Sequence, residues 1–109
     1  MFWFCIGSGP PSTLKLFNAT ETSVEVAWAP PAAPNDEILG YTVQANSIYT
    51  YSTTTPLTLR EWNVPNSTLR TELLNLHPGT QYNISVAARC NNQLGVVISD
   101  IIWTQIGGK

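Results

Sequence analysis

The sequence predicts an all-β protein in which seven antiparallel strands form two sheets packed face to face. Three observations carry that expectation. Short segments alternate apolar and polar residues, as strands do when one face is buried and the other meets water. Turn residues punctuate these segments, so that a new strand starts every ten to fifteen residues. The chain carries almost no helical signal.

The strands follow in order. Leu14 and Leu16 mark the first. The second is Thr22-Ser23-Val24-Glu25-Val26-Ala27-Trp28, with Val24, Val26 and Trp28 on one face. Pro30, Pro31 and Pro34 stop it, because proline has no N–H to give a sheet. The third runs over 38–45 and turns Tyr41, Val43 and Ala45 inward. Between residues 46 and 68 the pattern weakens. Tyr49, Tyr51, Thr53 and Thr55 alternate, which predicts an edge strand there. Pro56, Pro65 and Asn66 then predict a long irregular connection carrying Trp62. Leu69, Thr71 and Leu73 form a short fifth strand. Tyr82, Ile84, Val86 and Ala88 line the inner face of the sixth, with Asn83, Ser85 and Ala87 opposite. Residues 96–104 supply the last, and the side on which Trp103 falls depends on where that strand begins.

The chain has 109 residues, which suits one domain with one core. Residues 1–10 read as an extension or linker, 11–106 as the folded domain, and 107–109 as the start of another linker. Charged residues are 11% of the chain and the net charge is −2. Five scattered Lys and Arg cannot form the cationic stripe that nucleic acid or anionic lipid requires, so neither is an expected partner. No apolar run is long enough to span a bilayer, so direct membrane insertion is not expected either. Cys5 and Cys90 have no metal-ligand spacing. Whether they pair stays open, with an unpaired thiol at each the plainer reading.

At this point the residues resemble the fibronectin type III domain family. Pro11 precedes the first strand, Trp28 ends the second and is followed by Ala29-Pro30-Pro31, and Ile38-Leu39-Gly40-Tyr41-Thr42-Val43 stands in the third. Leu73-Leu74-Asn75-Leu76-His77-Pro78-Gly79-Thr80-Gln81-Tyr82 is similar to the family's corner before the sixth strand, and Gly95 opens the last turn. The resemblance spans about residues 11–106. It implies an immunoglobulin-like sandwich with Trp28, Tyr41, Val43, Leu76 and Tyr82 in its core, and a Tyr82 hydroxyl bonded to nearby backbone. It also implies a recognition role for the loop at Cys90-Asn91-Asn92-Gln93-Leu94-Gly95, where Asn91, Asn92 and Gln93 are the candidate contacts; a plain polar turn is the alternative.

Catalysis finds no footing in the inventory, and no cofactor is expected. His77 is the one histidine and sits in the corner turn with no nucleophile beside it. Asp36, Glu37 and Glu61 read as solvated loop carboxylates. The informative motif is the N-glycosylation acceptor, present at Asn18-Ala19-Thr20, Asn66-Ser67-Thr68 and Asn83-Ile84-Ser85. The first should lie in the turn after the first strand, the second in a loop, and the third on a water-facing strand position. The expectation is therefore a non-catalytic extracellular module, on a cell surface or secreted. It would hold or contact other protein domains, in the same chain or on another protein, within a receptor or adhesion protein. A structural module of an intracellular filament protein and an accessory module of a secreted enzyme are the alternatives.

Overall fold

A computed structural model describes residues 9–31, 38–52, 54–90 and 93–106. The strands are β1 (Thr13–Phe17), β2 (Val24–Ala29), β3 (Gly40–Thr50), β4 (Leu59–Pro65), β5 (Arg70–Leu73), β6 (Thr80–Cys90), β7 (Gln93–Leu94) and β8 (Ile98–Trp103). They form two antiparallel sheets, β1-β2-β5 and β4-β3-β6 with both β7 and β8 on the free edge of β6. Because β7 and β8 share one edge, the sandwich has seven strand positions, and no helix occurs among the described residues.

Each sheet turns its apolar alternation toward the other. Val24, Val26 and Trp28 of β2 and Leu73 of β5 face Tyr41, Val43 and Ala45 of β3 and Tyr82, Ile84, Val86 and Ala88 of β6. Leu76, from the corner before β6, closes one end. The five residues named in advance as core are all buried. The Trp28 indole meets the Tyr41 ring edge-on, with centroids 5.6 Å apart. Its buried Nε1–H has no acceptor among the described residues. The ring outweighs that defect: burying ~200 Å² contributes about 5 kcal/mol, against about 1–3 kcal/mol for an unmet donor.

The middle of the chain departs from expectation. No edge strand begins at Tyr49; instead β3 continues to Thr50, and Leu59–Pro65, expected as irregular, is the edge strand β4. Asn46 and Ser47 are poor strand formers, yet the ladder carries β3 through them because it is bonded on both sides. Ser47 is buried at no hydrogen-bond cost, since its hydroxyl donates to the Thr58 carbonyl at 3.0 Å and accepts from the Thr58 N–H at 2.5 Å. Trp62 therefore sits in a strand, opposite Val43, and packs against the core from its margin.

Cys90 is disulfide-bonded, which corrects the plainer expectation of an unpaired thiol there. Cys5, the other half of that expectation, lies outside the described residues.

Candidate interaction surface

His77 acts through its backbone. Its N–H donates to the Tyr82 hydroxyl at 2.9 Å and its carbonyl accepts from Thr104 Oγ1 at 2.6 Å. Among the described residues its ring has no hydrogen-bond partner, and no group of three or more His, Cys, Asp or Glu could hold a metal ion. Glu61 is exposed and accepts from Gln44 Nε2 at 3.3 Å. Asp36 and Glu37 fall outside the described residues. Burial pushes the Tyr41 hydroxyl above its ordinary range. The Arg70 guanidinium, 2.6 Å from Glu25, and the Asn18 amide hold the Glu25 carboxyl below its own.

The three acceptor asparagines occupy different settings. Asn18 is exposed just after β1 in a left-handed conformation (φ 51°) that asparagine tolerates. Its Nδ2 donates to Glu25 Oε2 at 2.9 Å. Asn66 is exposed in the turn between β4 and β5, and its Nδ2 donates to the Ile38 carbonyl at 2.9 Å. Asn83 is half-buried on the outer face of β6, and its side chain makes no hydrogen bond to any described residue. Of the loop residues expected to contact a partner, Asn91 and Asn92 lie outside the described residues. For Gln93 only the backbone is described, paired with Cys90.

The register orders the outer face of the larger sheet into rows. Asn63, Thr42 and Ala87 form one, with Thr42 Oγ1 donating to Asn63 Oδ1 at 2.7 Å and Arg89 reaching Asn63 Oδ1 at 3.1 Å. Glu61, Gln44, Ser85 and Ser99 form the next, and Leu59, Asn46, Asn83 and Ile101 the one after. The last row is Tyr49, Gln81 and Trp103. The face thus grades from polar to apolar. Leu59, Tyr49, Ile101 and Trp103 are 61%, 53%, 52% and 38% exposed. Tyr49 and Trp103 meet edge-on at 5.8 Å, and Tyr51 stacks on Trp103 at 5.3 Å.

A β-bulge makes this cluster. Ser47 pairs with Tyr82 and Tyr49 with Gln81, so Ile48 is the extra residue. Strict alternation from Tyr41, Val43, Ala45 and Ser47 would point Tyr49 inward. The bulge turns it out, onto the face that holds Trp103. Sequence reasoning missed Tyr49, Tyr51 and Ile101 as surface residues. The available signal was the density of tyrosines beyond Asn46, which alternation alone assigned to a separate strand.

The sequence model described as the fibronectin type III domain matches residues 9–102. Among curated proteins, the chain is 34% identical over 88 residues to the phosphatidylinositol phosphatase PTPRQ of Rattus norvegicus, covering 81% of this chain and 4% of that protein. It is 32% identical over 81 residues to tenascin-R of Rattus norvegicus, covering 73% of this chain and 5% of that protein. The chain therefore spans only a small part of the curated relatives it matches. Among solved structures, the FN5 domain of Drosophila Lar superposes with a TM-score of 0.74 at 27% identity, covering 92% of this chain and 99% of that one. A two-domain fibronectin type III segment of chicken tenascin superposes with a TM-score of 0.71 at 29% identity, covering 88% of this chain and 50% of that one.

Proposed function

The chain belongs to the fibronectin type III domain family, and on that premise we propose that it is a non-catalytic spacer and protein-interaction module of a larger cell-surface receptor or adhesion protein. The observation that carries this reading is the path of the chain. Ser12 enters at one end of the sandwich, its N–H donating to the Ala29 and Pro30 carbonyls. Gln105 leaves at the other end, bonded through its N–H to the Thr20 carbonyl and through its side chain to the Ala19 carbonyl. A rigid unit entered at one end and left at the other holds its neighbours apart. The unit spans residues 11–106 in this reading, with Pro11 already buried.

Homologous modules stand in cell-surface and extracellular proteins, which supports an extracellular setting. A disulfide at Cys90 fits an oxidising compartment. Three acceptor motifs fit a glycoprotein, with Asn18, Asn66 and Asn83 as the attachment points. Asn91, Asn92 and Gln93 remain the loop positions assigned to a partner. The test is staining of intact cells that express the parent protein, with an antibody raised against this domain. Signal without permeabilisation is expected; signal only after permeabilisation would favour the intracellular filament reading.

A further inference from the structure

Asn83 stands apart from the other two acceptors. It is the one placed in a central strand, and the one whose side chain is uncommitted to any described neighbour. Its row gives it Asn46 on one side and Ile101 on the other, with Leu59 beyond Asn46. Direct cross-strand neighbours put their Cβ atoms about 5 Å apart, and diagonal ones about 7–8 Å, which long and aromatic side chains bridge. The diagonal neighbours of Asn83 in the adjoining row are Tyr49 and Trp103. An acceptor amide thus rises from the middle of the chain's exposed aromatic and aliphatic corner.

Trp103 stays partly exposed although two tyrosines meet it, Tyr49 edge-on and Tyr51 stacked. Tyr51, whose N–H donates to the Gly79 carbonyl, stacks on the indole from the end of the sandwich. Asn83 lies on the opposite side of the Trp103 row, because the chain passes Gly79 in the turn and then Gln81 and Asn83 on β6. A β-linked pyranose presents a face of axial C–H bonds, weakly positive and apolar. The π-face of an indole is negative and apolar, so the two attract and exclude water together.

We propose that Asn83 carries an N-linked glycan whose innermost N-acetylglucosamine lies on Trp103 and Ile101, so that the chain's own sugar covers this apolar corner. The inference rests on the extracellular reading above. It assigns the patch to an occupant inside the molecule and leaves the loops and the polar part of the sheet face for partners.

The test uses the full 109-residue chain, secreted from mammalian cells behind a leader peptide. Glycopeptide mass spectrometry is expected to find Asn83 occupied. Endoglycosidase trimming to a single N-acetylglucosamine should keep the melting temperature above that of Ser85→Ala, which lacks the acceptor motif, by about 4 °C or more. In a Trp103→Ser background that difference should vanish. Should Trp103→Ser not fold, NMR cross-peaks between sugar-ring and Trp103 indole protons in the trimmed wild type decide the matter; their presence is expected. A bare Asn83 beside an occupied Asn18 or Asn66 would overturn the inference and leave the extracellular reading intact. An occupied Asn83 with no indole cross-peaks, or with an undiminished difference in Trp103→Ser, would overturn it as well.

Discussion

The Tyr82 hydroxyl accepts the His77 backbone N–H at 2.9 Å, tying the first hydrophobic core residue of β6 to the turn that delivers it. Tyr82 is 1% exposed, so water cannot substitute freely at that site. The same turn is held from the far side by Thr104, whose Oγ1 donates to the His77 carbonyl and accepts from the Thr80 N–H at 3.0 Å. Tyr82→Phe keeps the ring and removes the acceptor. It should cost about 1 kcal/mol, at the low end of the penalty for stranding a donor because this one is only part-buried. Urea unfolding would show a lower midpoint with an unchanged slope. A midpoint equal to wild type would mean that the corner does not depend on this bond.

Trp28 is the largest side chain between the sheets and touches Tyr41 across them. Trp28→Ala should cost about 3–5 kcal/mol. Against a total stability of about 5–15 kcal/mol, that is enough to leave much of the protein unfolded near 37 °C. Calorimetry of the variant beside the parent is the measurement. Equal melting temperatures would contradict the packing described above.

Gly40 has no room for a side chain. A Cβ there would collide with the Val64 carbonyl on β4, which is backbone and cannot swing aside, and with the Arg89 guanidinium at 2.5 Å. Gly40→Ala should therefore push β4 off the sheet edge and cost about 1–3 kcal/mol. Faster hydrogen exchange confined to β4, together with a lower urea midpoint, would locate the damage.

Glu25 gives a pH dependence with a definite sign. Arg70 and then Asn18 lower its folded pKa below its unfolded value. The stability this brings is fully present above the unfolded carboxylate pKa and is lost as pH falls through the folded one. Glu25→Gln should be less stable than wild type at neutral pH, and the two should converge once the pH has fallen below the depressed folded pKa. The gap at neutral pH should also narrow in high salt, because the pair is exposed. A gap that persists in acid would assign the effect to something other than the charge.

Much of the sandwich was legible because strand alternation is a local property. Val24, Val26 and Trp28, or Tyr82, Ile84 and Val86, carry their inner face in their spacing alone. Trp103 was not readable in this way. Its side of the sheet depends on its pairing with Gln81, which lies 22 residues away in sequence (103 − 81). Tyr49 misled for a sharper reason: one extra residue at Ile48 inverts the parity of everything beyond it in β3. Pro65 and Asn66, close behind Trp62, signal a loop in the sequence, yet Pro65 ends an edge strand, where a missing N–H costs little.

By itself the amino-acid order determined the all-β class, the two inward faces and the Trp28 and Tyr82 landmarks. Tertiary structure alone decided which strand edges meet, where the bulge falls, that Cys90 is bonded, and that Asn83 stands among Ile101, Tyr49 and Trp103. The division has one physical cause. Burial of a strand face repeats every two residues and is written along the chain. A surface site is instead made by side chains from different strands, brought together only when the backbone ladders close.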